Sequence, residues 1–150
     1  PDYDSLAGVM LEGIPLGPWL EALNQRICEH IGRDGRNLQV GHAYFLEDGR
    51  PIRDFARFAR VIQEDIIPLV QEYCYEDPGL LEKILGASLM DAVRRGGQGR
   101  IFDPSQRDRL VQALLEPCPE LSSSAAAVRD EASNLEPEPD NVDETEDEGA

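Results

Sequence analysis

Apolar residues recur along this chain at the spacing of a helix face. After Gly17-Pro18 they fall at Trp19, Leu20, Leu23, Ile27 and Ile31, which predicts a helix over about 18–32, stopped by Gly32 and the Asp34-Gly35 pair. A longer stripe follows at Phe55, Phe58, Ile62, Ile66, Leu69 and Tyr73, with steps of 3, 4, 4, 3 and 4 residues. These steps average the helical period, while Arg53, Arg57, Arg60 and Glu64 fall off the stripe. Arg60 and Glu64 stand one turn apart and can pair. Pro68 interrupts the pattern. A proline inside a helix removes one backbone hydrogen bond and crowds the carbonyl four residues back, so the reading is a kink or two abutting helices near Ile67.

Shorter patterns complete the picture. Asp77-Pro78 opens a helix over about 78–86 with Leu80, Leu81, Ile84 and Leu85, and a weaker pattern covers 88–95. Gly96-Gly97-Gln98-Gly99 reads as a break. Asp103-Pro104 then starts a last helix, with Gln106 placed for a capping box and Pro117 ending it. Leu38 to Val40 forms a short extended run, and Glu47-Asp48-Gly49 a turn. Residues 1–15 are Gly-rich with scattered apolar positions and give no clear element. The expected fold is mainly α: a small helical bundle with at most one short strand or hairpin.

Charge divides the chain. Residues 1–118 hold 19 acids and 13 bases, whereas residues 119–150 hold 11 acids and one base, Arg129. The net charges are therefore −6 and −10, together the −16 of the whole chain. The acidic end has no aromatic residue and three prolines, so it lacks the apolar surface needed to offset the entropy of ordering. The expected organisation is a linker over 1–15 from a missing upstream domain, a helical domain over 16–118 and a disordered acidic tail over 119–150. The opening residue Pro1 also suggests that sequence precedes it. Three scattered cysteines (Cys28, Cys74, Cys118) make no disulfide framework, and neither a signal peptide nor a membrane span is visible, so a cytoplasmic location is expected.

Candidate chemistry is sparse. Lys83 is the lone lysine, and the arginine bias is open to two readings, recognition of phosphate or carboxylate and plain genome composition. A net negative folded part does not favour a nucleic-acid surface. There is no Gly-x-x-x-x-Gly-Lys-Ser/Thr phosphate loop and no apolar strand ending in paired acids for magnesium. Cys28 and His30 have no second pair at metal spacing, so no metal site is expected. A Cys–His nucleophile built from Cys28, Cys74 and His42 competes with buried, inert thiols. His42 is the titratable residue that stands out, either in a site or with its ring hydrogen-bonded to nearby backbone, docking the Tyr44-Phe45 corner. Tyr73 and Tyr75 read as core aromatics with a wet hydroxyl or as contacts to a base. Glu72, Glu76 and Asp77 read as a solvated helix end or as catalytic carboxylates.

Three ordered motifs carry a resemblance. Leu23-Asn24-Gln25-Arg26-Ile27 matches a Leu-Asn-x-x-Ile helix, and Val40-Gly41-His42-Ala43-Tyr44-Phe45 matches an Ile-Gly-His-Ser-Tyr-Phe motif. Asp65-Ile66-Ile67-Pro68-Leu69-Val70-Gln71-Glu72-Tyr73 matches Asp-Ile-x-Pro-Leu-Leu-Glu-Glu-Tyr. Over about residues 18–86 the chain resembles the helical lid that ends the AAA+ module of McrB-like nucleotidases, the motor subunits of modification-dependent (5-methylcytosine) restriction systems. Ala43 and Gln71 depart from the usual serine and acid, which puts a hydrogen-bonding role of that serine in doubt.

The resemblance implies a lid that closes over nucleotide held by an upstream core and helps a ring of subunits assemble. GTP or ATP with magnesium would serve the intact parent, while the chain alone is expected to bind no cofactor and to be inactive. A McrC-like nuclease is the implied partner, with DNA reached through other domains. Gly41, His42 and Tyr44 are implied near the nucleotide or the hinge. Asn24, Phe45, Pro68, Leu69, Glu72 and Tyr73 form the lid's structural motif. A rival reading is a non-enzymatic helical interaction module whose acidic tail regulates association.

Overall fold

The structure, a computed structural model, describes residues 1–96 and 106–121. A 3-10 turn at Tyr3–Leu6 leads into a hairpin of β1 (Met10–Leu11) and β2 (Ile14–Pro15), which feeds α1 (Leu16–Ile31). A 3-10 stretch at Gly32–Leu38 and another at His42–Phe45 lead to a second hairpin, β3 (Leu46–Glu47) with β4 (Arg50–Pro51). Then come α2 (Phe55–Val61), α3 (Ile67–Tyr73), α4 (Pro78–Leu85), α5 (Ala87–Gly96) and α6 (Arg107–Leu115). The mainly helical class is as the periodicity implied. Among the described residues there are two hairpins rather than one, and no described helix is long and apolar enough to cross a membrane.

Both hairpins turn on the same chemistry. Glu12 and Gly13 have φ of 52° and 85°, and Asp48 and Gly49 have φ of 51° and 77°. Two positive φ values in a two-residue loop match the right-handed twist of the flanking strands, and glycine takes the second position without steric cost. The Asp-Gly turn was visible in the sequence, whereas Glu-Gly is a weaker signal and the first hairpin went unread. Residues 1–15 are correspondingly more than a connecting segment. Leu6, Val9, Leu11 and Ile14 all lie in the core, beneath α1.

The core follows the predicted stripes as far as Ile66, but beyond it the buried face passes to Ile67, Val70 and Cys74, while Leu69 and Tyr73 are only partly buried. Leu16, Trp19, Leu20, Leu23 and Ile27 of α1 are buried against Phe55, Phe58, Ile62, Ile66 and Val70. Trp19 meets Phe58 edge-on at 5.4 Å and Phe45 at 6.2 Å, and the two phenylalanines are 5.8 Å apart. Edge-to-face packing sets the positive rim of one ring against the negative face of the next, adding to the burial itself.

Pro68 is accommodated without breaking the helical path. Residues Ile62–Ile66 form a π-helical turn, and the Ile67 N–H donates to Ile62 O, five residues back. The wider turn shifts the register so that Pro68 falls in the first turn of α3, where its missing N–H costs no bond. The two abutting helices expected near Ile67 are therefore α2 and α3, joined by this turn. The Arg60–Glu64 pair is present at 3.9 Å.

Elsewhere the reading needed correcting. Gly32–Leu38 is wound as 3-10 helix, and Gln39 to Gly41 is extended without pairing in a sheet. Gly35 explains the tight winding: a Cβ there would lie 2.7 Å from Cys28 Cα and 2.8 Å from Ile27 O, so a side chain would force this stretch off α1. Gln106 precedes α6 as its N-cap and makes no side-chain capping bond there, while its expected capping-box partner Asp103 lies outside the described residues. The Asp103-Pro104 start, most of the glycine break and nearly all of the acidic tail lie outside the described residues.

Candidate functional site

Asn24, Gly41, His42, Tyr44 and Phe45 lie at the corner between α1 and the second hairpin, and Asn24 holds it. Asn24 is the buried polar residue of the described core, 2% exposed in the middle of α1. Its Oδ1 accepts from the Val40 N–H at 2.6 Å, and its Nδ2 donates to Val40 O at 2.9 Å and to the Tyr3 hydroxyl at 3.1 Å. The primary amide thus does for Val40 what a neighbouring β-strand would do, satisfying both backbone groups of an unpaired residue. Leu23 and Ile27 of the same motif are fully buried beside it. Sequence alone gave Asn24 as a motif residue but not this role, because its partners lie 16 and 21 positions away.

From that anchor the chain runs into Gly41. Its backbone is ordinary, φ −74° and ψ 152°, and among the described residues a Cβ placed on it would meet nothing within 4 Å. Nothing among the described residues therefore demands a glycine at 41. His42 is half-buried, and its Nδ1 accepts from the backbone N–H of Asp2 at 3.0 Å. In the neutral ring the proton then sits on Nε2, which has no partner among the described residues. Phe45, one 3-10 turn on from His42, is fully buried in the aromatic cluster and fixes the corner to the core.

Tyr44 points the other way and is 41% exposed. Its hydroxyl lies close enough to Tyr73 that it adds to the upward push which burial gives the Tyr73 phenol, with Glu72 adding further. The corner and the end of α3 are thereby neighbours, joining two of the three motifs. Leu69 is partly buried against the core, whereas Pro68 and Glu72 are exposed. Tyr75 stands out at 78% exposure on the turn after α3, where Glu76 adopts φ 65° and Asp77 caps α4 through Leu80 N–H at 3.0 Å. Reading Tyr75 as a core aromatic was therefore mistaken. Its neighbours in sequence belong to a tight turn that holds the ring outside.

Among the described residues no nucleophile or metal centre assembles around this corner. Cys74 and Cys118 are buried and burial pushes both thiols up, away from the reactive thiolate. Cys28 packs against Gly35 on the far end of α1. Among the described residues no group of three or more His, Cys, Asp or Glu side chains could hold a metal ion. What the corner offers is a shaped surface: an open glycine, an imidazole with one nitrogen engaged, and an exposed phenol beside a second one.

Residues 15–82 match the family described as McrB, alpha-helical lid domain. Over 76 residues the chain is 33% identical to the type IV methyl-directed restriction enzyme EcoKMcrB subunit of Escherichia coli (strain K12). That alignment covers 49% of this chain and 16% of the relative's length. No solved structure matches the chain significantly. The matched span ends within α4 and takes in the Asn24 anchor, the 41–45 corner and the π-turn before Pro68. The chain carries, over residues 15–82, a helical lid domain of the McrB-like family.

Proposed function

We propose that this lid serves an NTP-hydrolysing AAA+ motor, in which it closes over GTP or ATP with magnesium held by a core that this chain does not contain. The chain has no phosphate loop, and no acid cluster for magnesium forms among the described residues. Phosphate and metal chemistry therefore fall to the other partner of the closure, and the lid contributes a surface. In this reading the motor assembles as a ring, acts with a McrC-like nuclease in DNA restriction within the cytoplasm, and reaches DNA through other domains. The relative's name, a methyl-directed restriction enzyme subunit, supports that setting.

The observation that carries the reading is Gly41. Its backbone angles suit any residue and its Cβ direction is open among the described residues, so the packing they make does not call for a glycine. A glycine in such a place fits close approach of another surface, and the corner beside it is rigidly held by Asn24 and Phe45. The test is Gly41→Val in the full-length protein. We expect an unchanged melting temperature with nucleotide turnover reduced at least tenfold. Unchanged turnover with normal ring assembly would overturn the placement of the corner against the nucleotide or the core. The 150-residue chain by itself should neither hydrolyse nor tightly bind GTP or ATP, and measurable turnover by it would overturn the division of labour.

A further inference from the structure

The structure points to a specific job for His42: we infer that it latches the entering chain to the corner through Nδ1, acting as a positioning residue rather than touching nucleotide. The inference about nucleotide closure rests on the reading above; the latch itself does not. Four observations converge on it. The first is the bond itself, from the Asp2 N–H to His42 Nδ1 across 40 residues at 3.0 Å. The second is that the donor segment is built rather than loose. The Asp2 carboxylate caps its own 3-10 turn through the Ser5 N–H at 3.3 Å and the Ser5 hydroxyl at 2.6 Å. Those bonds hold the Asp2 carboxyl below its ordinary range.

The third is that the next residue is also tied to the same corner. Tyr3 Oη accepts from Asn24, whose other bonds fix Val40, so residues 2 and 3 are gripped from both sides of Gly41. The fourth is that Leu6, at the end of the turn, is fully buried, so this segment cannot shift without disturbing the core. Anything pulling on the chain before Asp2 therefore acts first on His42 and Asn24. Through them it acts on residues 40–45, the stretch that presents Gly41 and Tyr44. Engaging Nδ1 also fixes the ring, so a displaced strap frees the imidazole and the corner together.

The two ring nitrogens make the idea testable. Asparagine places an acceptor near the position of Nδ1, whereas glutamine reaches the position of Nε2. In the 150-residue chain, His42→Ala should speed hydrogen exchange of the Asp2 amide and its turn roughly three- to tenfold, the range spanned by one ordinary hydrogen bond. His42→Asn should restore protection and His42→Gln should not. No change in the alanine variant, or rescue by glutamine alone, would overturn the latch.

In the full-length protein the same three variants separate closure from contact. A latch predicts lower kcat with unchanged KM for alanine and glutamine, and near-normal kcat for asparagine. A raised KM with rescue by glutamine would instead make Nε2 a nucleotide contact and sink the inference. Should the unmodified full-length protein show no turnover, the proposed function fails, and the exchange measurement still decides the latch.

Discussion

The front of the molecule and its far end are held together by different means. In residues 1–74 a buried amide ties backbone across the fold: Asn24 satisfies both groups of Val40, and Trp19, Phe45 and Phe58 form an aromatic cluster in the same core, while the Asp2–His42 bond lies exposed at the edge. In the α5–α6 pair the ties are mostly exposed. Ser88 donates its amide N–H, and its hydroxyl in a short bond, to the Glu116 carboxylate. Arg94 pairs with Asp91 at 3.4 Å, and Arg107 with Glu12 at 3.2 Å. Exposed pairs in water each contribute little, whereas a buried amide that loses its partner is left desolvated and unpaired. The family match spans residues 15–82 and stops short of α5, so the part matched is the part with the stiffer connections. Under the proposed function, a corner on which another surface closes would need such connections.

Phe58→Ala should strain this contrast most. The ring is fully buried between Trp19, Phe45 and Phe55, so its removal leaves a cavity costing about 4 kcal/mol. Urea unfolding at neutral pH reads it. A cost below about 1 kcal/mol would mean that the aromatic cluster is not what holds the front together. Asn24→Ala comes next, at about 3 kcal/mol, because it strands the Val40 N–H and C=O in the core. Asn24→Leu should be no better, since the missing quantity is the pair of hydrogen bonds and not volume. If either variant unfolds no more readily than a surface variant of α6, the two regions do not differ as argued.

How much of this was legible depended on the distance over which a signal acts. Helix positions came from spacing alone, and the stripe gave the inward face from Phe55 to Ile66 but not beyond, where Ile67, Val70 and Cys74 are buried in place of Leu69 and Tyr73. Pro68 announced a disturbance, but its resolution as a π-turn over Ile62–Ile66 was not legible. Five-residue winding leaves no mark in local composition, and its effect is to carry the buried face from Phe58, Ile62 and Ile66 to Ile67, Val70 and Cys74. Asn24 and Tyr44 were named by resemblance, and His42 both by resemblance and as the titratable residue that stands out. Asn24's grip on Val40 and the Asp2 bond to His42 depend on tertiary placement and could not be read from neighbours. The N-terminal 15 residues were misjudged because four core residues spread among glycines show neither helical nor strand period. Trp19 was seen as apolar, yet its indole N–H donates to Leu114 O, 95 residues on.

Thiol labelling compares the regions within one molecule. Cys74 in the front and Cys118 behind α6 are both buried, and burial raises both pKa values. If the α5–α6 pair opens locally, Cys118 should react with a thiol reagent on the order of tenfold faster than Cys74. Equal rates would indicate a single cooperative unit. The raised values also set a sign. Below pH 9.0 the thiols are neutral whether folded or not. Above it the unfolded chain ionises first, so stability is lost as pH rises towards the folded values.

Trp19→Phe should cost about 1 kcal/mol, and its effect should appear chiefly in α6. The Leu114 carbonyl lies in the last turn of α6, where no intrahelical donor follows, and it accepts from Trp19 Nε1 at 3.0 Å and from Cys118 Sγ at 3.6 Å. Phenylalanine keeps most of the ring packing and removes the stronger of those donors. Faster amide exchange in 107–118 with an unchanged 40–45 corner would sharpen the contrast, because it would show Trp19 serving the front through its ring and the rear through its N–H. Exchange rising equally in both would dissolve it.

The smallest effect belongs to Ser88→Ala. The Ser88 bonds hold the Glu116 carboxyl below its ordinary value, and the pair is exposed, so solvent screens most of what it contributes. A carboxyl lowered in the folded state adds stability that is present above pH 4.5 and is lost as pH falls through the folded value. Alanine should therefore reduce stability by less than about 1 kcal/mol at pH 7 and leave it unchanged at the acid end, flattening the slope between the two. Asn24→Ala carries no titrating group and should show the same deficit at both. A pH-dependent tie at the rear beside a pH-independent one at the front follows directly from exposed carboxylate bonding on one side and buried amide bonding on the other. A parallel pH response in the two variants would show instead that the regions unfold as one and that their ties cannot be told apart by chemistry.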